Sequence, residues 1–152
     1  MSDRTIRGAT VRDIPSVLSL WETAGSPQSV SDTREGLSRL LARDRDALLL
    51  AEAGGVVVGS LIAAWDGWRG SFYKLAVHPD CRRQGLATAL LREGERHLRA
   101  RGAVRLTAIV AEDNPAATGF WDAAGYRRQP QRARFVRHMQ DVESGQADGP
   151  AL

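Results

Sequence analysis

The stretch FYKLAVHPDCRRQGLATALLREGERHLRAR, residues 72–101, decides how the chain is read. It opens as an apolar strand from Phe72 to Val77 and passes through His78-Pro79. A short loop carrying Arg82, Arg83 and a single glycine follows, and then an amphipathic helix. Leu86, Leu90, Leu91 and Leu98 recur at helical spacing, and Gly102 stands where a C-cap glycine ends such a helix. Amides at a helix N-terminus lack intrahelical partners, and the helix dipole adds partial positive charge there. The strand–loop–helix unit is therefore a ready anion site. Gly85 and Ala87 are small enough to let a phosphate reach the backbone, and Arg82 and Arg83 can add charge-assisted hydrogen bonds.

Three readings of this loop compete on these residues alone. A phosphate loop of the NTPase kind needs four residues between two glycines and a Lys-Ser/Thr ending, which are absent. A dinucleotide fingerprint needs three spaced glycines and a later acidic residue, whereas this loop has only Gly85. The third reading is a tight strand-to-helix turn with solvated arginines.

Upstream, residues 5–11 alternate polar and apolar side chains and predict a first strand. Asp13 is placed to cap a helix through Ile14, Val17, Leu18 and Trp21, with Pro15 in its first turn. Ser31 or Asp32 caps a second helix with Leu37, Leu40 and Leu41 as its apolar stripe. Strands over 47–53 and 56–65 flank a Gly54-Gly55 hairpin turn, and residues 66–70 turn into the strand over 71–77. Downstream, residues 104–110 predict another strand, and Asn114-Pro115 opens a short helix through Phe120 and Trp121 that Gly125 closes. Tyr126 and residues 133–139 supply the last strand or strands. The polar tail over 141–152 is expected to be disordered. The order β-α-α-β-β-β-α-β-α-β predicts an α/β fold, one domain over 1–140, with a mixed sheet and helices on both faces.

Composition narrows the function classes. The chain has 152 residues, 21 Lys+Arg against 18 Asp+Glu and a formal charge of +3. Lys74 is its one lysine, and the arginines are scattered rather than gathered along one element. Nucleic-acid binding is therefore not expected. No apolar run approaches the roughly 20 residues that span a bilayer, and no membrane association is expected. Met1-Ser2-Asp3-Arg4 leads directly into a strand without a signal-peptide pattern, and Cys81 is the only cysteine. Both point to a reducing, cytoplasmic setting. His97 and His138 lie far apart, and no ligand spacing predicts a metal site.

The loop gains meaning from its neighbours. Arg82-Arg83-Gln84-Gly85-Leu86-Ala87 resembles the Arg/Gln-x-x-Gly-x-Gly/Ala signature of the GCN5-related N-acetyltransferases, and Leu75-Ala76-Val77-His78-Pro79 is similar to that family's fourth strand. Asn114-Pro115-Ala116-Ala117-Thr118-Gly119-Phe120-Trp121 with Gly125-Tyr126 resembles its Asn-x-x-Ala-x-x-Phe-Tyr-x-x-x-Gly-Phe/Tyr segment. Arg7-x-Ala9-Thr10-x-x-Asp13 is similar to its opening strand and turn. The likeness covers nearly the whole chain in the family's order. Asp66-Gly67-Trp68-Arg69-Gly70 resembles a bacterial branch whose substrates are mostly unassigned.

The resemblance implies a central, mostly antiparallel mixed sheet of roughly six to seven strands. Its fourth and fifth strands would be splayed with the help of a β-bulge. It implies acetyl-CoA as co-substrate, no metal, and a primary amine of a small molecule or peptide as acceptor, in a monomer or homodimer. The backbone of Leu75, Ala76 and Val77 would pair with the pantetheine arm, with an amide polarising the thioester carbonyl. Amides of Arg83, Gln84, Gly85, Leu86, Ala87 and Thr88, with Arg82, would hold the pyrophosphate, and Asn114 and Ala117 would line the other side. The tyrosine that usually protonates the leaving thiolate is replaced by Trp121, whose indole N–H donates a hydrogen bond but does not titrate. Trp121 therefore either stabilises the thiolate or packs on the acetyl group. For a base, Glu112 lies just beyond the fifth strand and competes with a role as a solvated cap, and Tyr73 faces either the acceptor or the core. His78 is more simply a strand end, and Trp21, Trp65 and Trp68 serve as either pocket or packing.

Overall fold

Five strands line up in chain order. In the computed structural model residues 3–143 are described, with side chains as far as Asp141. β1 (Arg4–Gly8), β2 (Leu48–Ala53), β3 (Val56–Trp65), β4 (Gly70–Val77) and β5 (Leu106–Ala108) form one sheet in the order β1-β2-β3-β4-β5. The first three pairings are antiparallel and the β4–β5 pairing is parallel. That parallel step requires a crossover, and α3 (Leu86–Ala100) provides it.

Both faces of the sheet are covered, which explains why residues 48–51 are buried without alternation. On one face α1 (Ile14–Thr23) and α2 (Arg34–Arg43) bury Ile14, Val17, Leu20, Trp21, Leu37 and Leu41 in one cluster with Leu48, Leu50, Ile62 and Ala76. On the other face α3 lies so close that a Cβ at Gly94 would stand 2.9 Å from both Leu61 Cδ2 and Phe72 Cε1. Gly94 is therefore required by proximity, although glycine weakens a helix interior.

Local chemistry moved several boundaries. The first strand ends at Gly8, because Thr10 and Asp13 form a capping box and residues 11–13 coil into a 3-10 turn. Asp13 occupies the N-cap position of α1, with proline in the first turn as predicted, yet its carboxylate does not cap that helix. It accepts the Thr10 N–H at 2.8 Å and takes two 2.8 Å bonds from the Arg7 guanidinium. The cap of α2 is Thr33, whose Oγ1 accepts the Gly36 N–H at 3.0 Å; the expected caps Ser31 and Asp32 lie outside it, and Asp32 is drawn to Lys74 instead.

The sheet has five strands among the described residues, not six or seven, and β5 has three residues instead of seven. The sequence predicts the last strand or strands at Tyr126 and over 133–139. Instead the chain is irregular there and ends in a short helix, α5 (Met139–Glu143). A strand needs an edge to pair with, and Phe135 is 95% exposed. The expected disordered tail lies, from residue 144 on, outside the described residues. The chain divides into a larger unit ending at Asn114 and a smaller one that begins at Pro115 with α4 (Pro115–Ala123).

Two stability measurements check this account. Gly94→Leu overpacks the α3–sheet contact and lowers unfolding stability by about 1–3 kcal/mol in a denaturant titration. The Arg7 guanidinium, aided by the Thr10 amide and opposed by burial, holds the Asp13 carboxyl down at about 2 from its ordinary 3.8. A depressed carboxylate stabilises the fold above its unfolded pKa, and that contribution fades as pH falls through the folded one. Asp13→Asn is thus expected to cost about 1–2 kcal/mol at pH 7, a difference that shrinks steadily between pH 4 and pH 2.

Candidate functional site

The decisive irregularity sits in β4. Ser60 pairs with Ala76 and Ile62 with Tyr73, so β4 carries one residue more than β3 over this interval. The surplus falls at Lys74 and Leu75, and Lys74 takes a left-handed φ of 55°. For a lysine this conformation costs roughly 1–2 kcal/mol, and it persists only where surroundings hold it. The bulge also inverts the facing of the strand. Phe72 points toward α3, and a regular strand would send Ala76 the same way; the extra residue buries Ala76 on the α1 face instead.

Two anchors hold the bulge. The Ser60 hydroxyl, fully buried, donates to the Lys74 carbonyl at 2.8 Å and accepts the Trp21 indole N–H at 2.8 Å. The Lys74 ammonium meets Asp32 Oδ2 at 2.6 Å, the Pro27 carbonyl at 2.8 Å and Ser26 Oγ at 3.2 Å, and lies 4.9 Å from the Trp21 ring centroid.

Beyond the bulge the sheet opens. β5 pairs with β4 only at Gly70, Ser71 and Phe72, so residues 73–77 have no strand partner on that edge among the described residues. The two strands run parallel, so the chain leaves both at the same end. Glu112 and Asp113 follow β5 there in an exposed turn, which the Asn114 N–H closes on the Ala111 carbonyl at 3.1 Å. This is the splay between the fourth and fifth strands that the family resemblance implies.

The edge runs directly into the loop. His78 Nδ1 accepts the Asp80 N–H at 3.1 Å, which makes His78 the cap of a short 3-10 turn, Pro79–Cys81. Arg83 and Gly85 then take φ of 61° and 81°, and Gly85 is the N-cap of α3. The first helical bond is Ala89 N–H to the Gly85 carbonyl at 3.0 Å, so the amides of Leu86, Ala87 and Thr88 are directed out of the helix end. Nothing stands within 4 Å of where a Gly85 Cβ would lie. Backbone amides converging on open space at the positive end of a 15-residue helix fit a phosphate group.

The two loop arginines part company. Arg82, although exposed, bonds back across the loop, with Nη2 on the Ala24 carbonyl at 3.1 Å and Nε on the Val77 carbonyl at 3.4 Å. Arg83 stays exposed at the crest. Gln84 is engaged by Arg4 through both its backbone and side-chain oxygens. Tyr73 is 46% exposed and stands on the α1 face opposite Ile62, so it is not core packing. Trp21 is core, and Trp68 is exposed, with the Arg69 guanidinium 4.0 Å above its ring. A cleft of about 460 Å³ is lined by Trp21, Glu22, Gly25, Ser26, Gln28 and Asp32, next to the Lys74 anchors.

In the smaller unit, Ala117 and Trp121 lie on α4, both partly buried. Trp121 meets Tyr126 edge-on, with ring centroids 4.9 Å apart, and the Tyr126 N–H returns to the Trp121 carbonyl at 3.0 Å past Gly125. Among the described residues no group of His, Cys, Asp and Glu is placed to hold a metal ion, and no helix is long and apolar enough to cross a membrane. Ser60, Asp32 and Lys74 escaped the sequence reading. A serine within an apolar strand and a lone lysine three residues before Val77 were the available signals.

Comparison with known proteins agrees with this geometry. The profile of the acetyltransferase (GNAT) family matches residues 15–126. An acetyltransferase of Yersinia enterocolitica is 39% identical over 117 residues, which is 77% of this chain and 83% of that protein. One from Pectobacterium atrosepticum is 40% identical over 114 residues, or 75% and 81% of the two chains. Among solved structures, the PaiA N-acetyltransferase of Thermoplasma acidophilum in complex with coenzyme A superposes with a TM-score of 0.74 at 15% identity, over 86% of this chain and 93% of that one. Ard1 of Thermoplasma volcanium gives 0.72 at 23% identity, over 80% and 81%. These two structural likenesses speak for the fold, and the sequence relatives speak for the family. A splayed β4–β5 pair running into an amide-lined helix end, on a chain matched by that profile over most of its length, belongs to the GNAT acetyltransferase family.

Proposed function

We propose that this acetyltransferase takes its acetyl group from acetyl-CoA and passes it to a primary amine of a small molecule or peptide. The observation that carries the reading is the continuity of the unpaired β4 edge, residues 73–77, with the amide-lined loop ending at Gly85. An extended pantetheine arm needs backbone partners, and its pyrophosphate needs an anion site at one end; the two features supply these in sequence. Leu75, Ala76 and Val77 pair with the arm, and amides from Arg83 to Thr88 hold the pyrophosphate. Arg83 adds charge, while Arg82 and Gln84 shape the loop. Asn114 and Ala117 take the roles that the family resemblance assigns to them. The single thiol, Cys81, favours a reducing, cytoplasmic setting.

The reaction joins a neutral amine to the thioester carbonyl and expels a thiolate. Holding the two reactants in line accounts for much of the rate, and a backbone amide near the bulge stabilises the developing oxyanion. Glu112, exposed on the turn after β5, accepts the amine proton through water, and Tyr73 orients the acceptor. Trp121 donates its indole N–H to the leaving thiolate and leaves final protonation to solvent or to the acceptor's own proton. A second reading, a non-catalytic acyl-CoA-binding module, is favoured by one observation, the tryptophan at this position.

Calorimetry with acetyl-CoA tests the cofactor. Wild type binds, and Gly85→Val, which forces a branched residue into φ 81° and covers the amides, raises Kd about tenfold or more. Absence of wild-type binding would defeat the proposal. Thiol release with a panel of amines and peptides then separates catalysis from binding alone. Trp121→Phe is expected to lower kcat about tenfold with KM for acetyl-CoA within about threefold, whereas Trp121→Tyr keeps or raises turnover. Equal turnover in all three proteins would remove Trp121 from the chemistry.

A further inference from the structure

Lys74 does more than fill a bulge. It is the chain's one lysine, its side chain is only 15% exposed, and its partner Asp32 is 10% exposed. An ion pair this far from water is a poor way to add stability, so its geometry calls for another reason. The residue is gripped at both ends. Its carbonyl receives the Ser60 hydroxyl, and its ammonium is shared among Asp32, the Pro27 carbonyl and Ser26, with the Trp21 ring alongside. The grip fixes a left-handed backbone that lysine does not favour by itself. It sits within the unpaired edge, residues 73–77, immediately before Leu75. The segment that grips it, residues 24–33, is also tied to the loop by Arg82 on the Ala24 carbonyl. Trp21, Ser26 and Asp32 in turn line the 460 Å³ cleft, so an occupant of that cleft touches the residues that hold the bulge.

We propose that Lys74 is a positioning residue for acyl transfer: its clasp to Asp32, Pro27 and Ser26 sets the backbone of the β4 bulge, and through it the amide that polarises the thioester carbonyl. The clasp also couples the cleft beside α1 to that amide. This rests on the acetyl-CoA reading above, and the test keeps the two apart. The probe is acetyl-CoA labelled with ¹³C at the carbonyl, whose chemical shift on binding reports polarisation without any acceptor.

The double variant Lys74→Met with Asp32→Asn removes both charges together and leaves no lone buried ion. It is expected to stay folded and to bind CoA within about threefold of wild type. At least half of the bound carbonyl shift is lost, and turnover with the best amine of the panel drops on the order of 10–100-fold. Asp32→Asn alone keeps the ammonium and an acceptor oxygen and falls between wild type and the double variant. Because Lys74 is the sole lysine, its acetylation by a succinimidyl ester, read on the Lys74 peptide, measures the clasp directly. Labelling is slow in the folded wild type and faster in Asp32→Asn. A folded double variant that binds CoA with the wild-type carbonyl shift overturns the positioning role. Should the double variant not fold, an unchanged shift in Asp32→Asn does the same, as does wild-type labelling as fast as in urea. Failure of wild type to bind acetyl-CoA at all removes the acyl-transfer reading first and this role with it.

Discussion

A single hydrogen bond, from the Ser60 hydroxyl to the carbonyl of Lys74, braces the bulge on which the open edge of β4 is built. Ser60 is fully buried, and its oxygen is satisfied on both sides by the Trp21 indole and by the strand it braces. A buried hydroxyl with an unmet partner would be costly, so the pair stabilises one backbone arrangement against its alternatives. That arrangement is the bulge. The bulge turns Ala76 toward α1 and leaves Phe72 on α3. It also lies where the edge of β4 parts from β5.

The electrostatics of the molecule are local rather than global. A formal charge of +3 on 152 residues steers little. What concentrates positive potential is the N-terminus of α3, where a left-handed Gly85 bends the chain so that the next amides share one direction. The adjacent arginines divide the labour, since Arg82 is spent on the carbonyls of Ala24 and Val77 while Arg83 faces outward. The loop is thus built mainly from backbone.

Reliance on backbone also bears on the missing tyrosine. If alignment and oxyanion stabilisation supply most of the rate, the group that meets the departing sulfur can be a hydrogen-bond donor and need not be an acid. Trp121 is half-buried and packs edge-on against Tyr126. Glu22 and Gln28 are exposed side chains lining a cleft whose wall includes Ser26 and Asp32, two of the residues that clasp Lys74.

Some of this was legible in the residues. Leucine spacing in α3, the Gly54-Gly55 turn, Pro15 in the first turn of α1 and the Arg82 to Ala87 pattern are local signals, read within a few residues of where they act, and they placed the elements and the strand-to-helix loop correctly. The strand expected over 133–139 and the caps expected at Ser31 or Asp32 went astray. Strand-forming residues say nothing about whether an edge exists to pair with, and a capping side chain can be claimed by a distant ion. What the sequence by itself determined, then, is the family of folds, the crossover helix and the backbone cradle at its start. Only the tertiary structure decided that Lys74 is the bulged residue, that Ser60, 14 positions away, holds its carbonyl, and that Asp32, another 28 positions upstream of Ser60, holds its ammonium. Those contacts join residues remote in the chain, and their strength comes from a shared low-dielectric interior that no local pattern encodes.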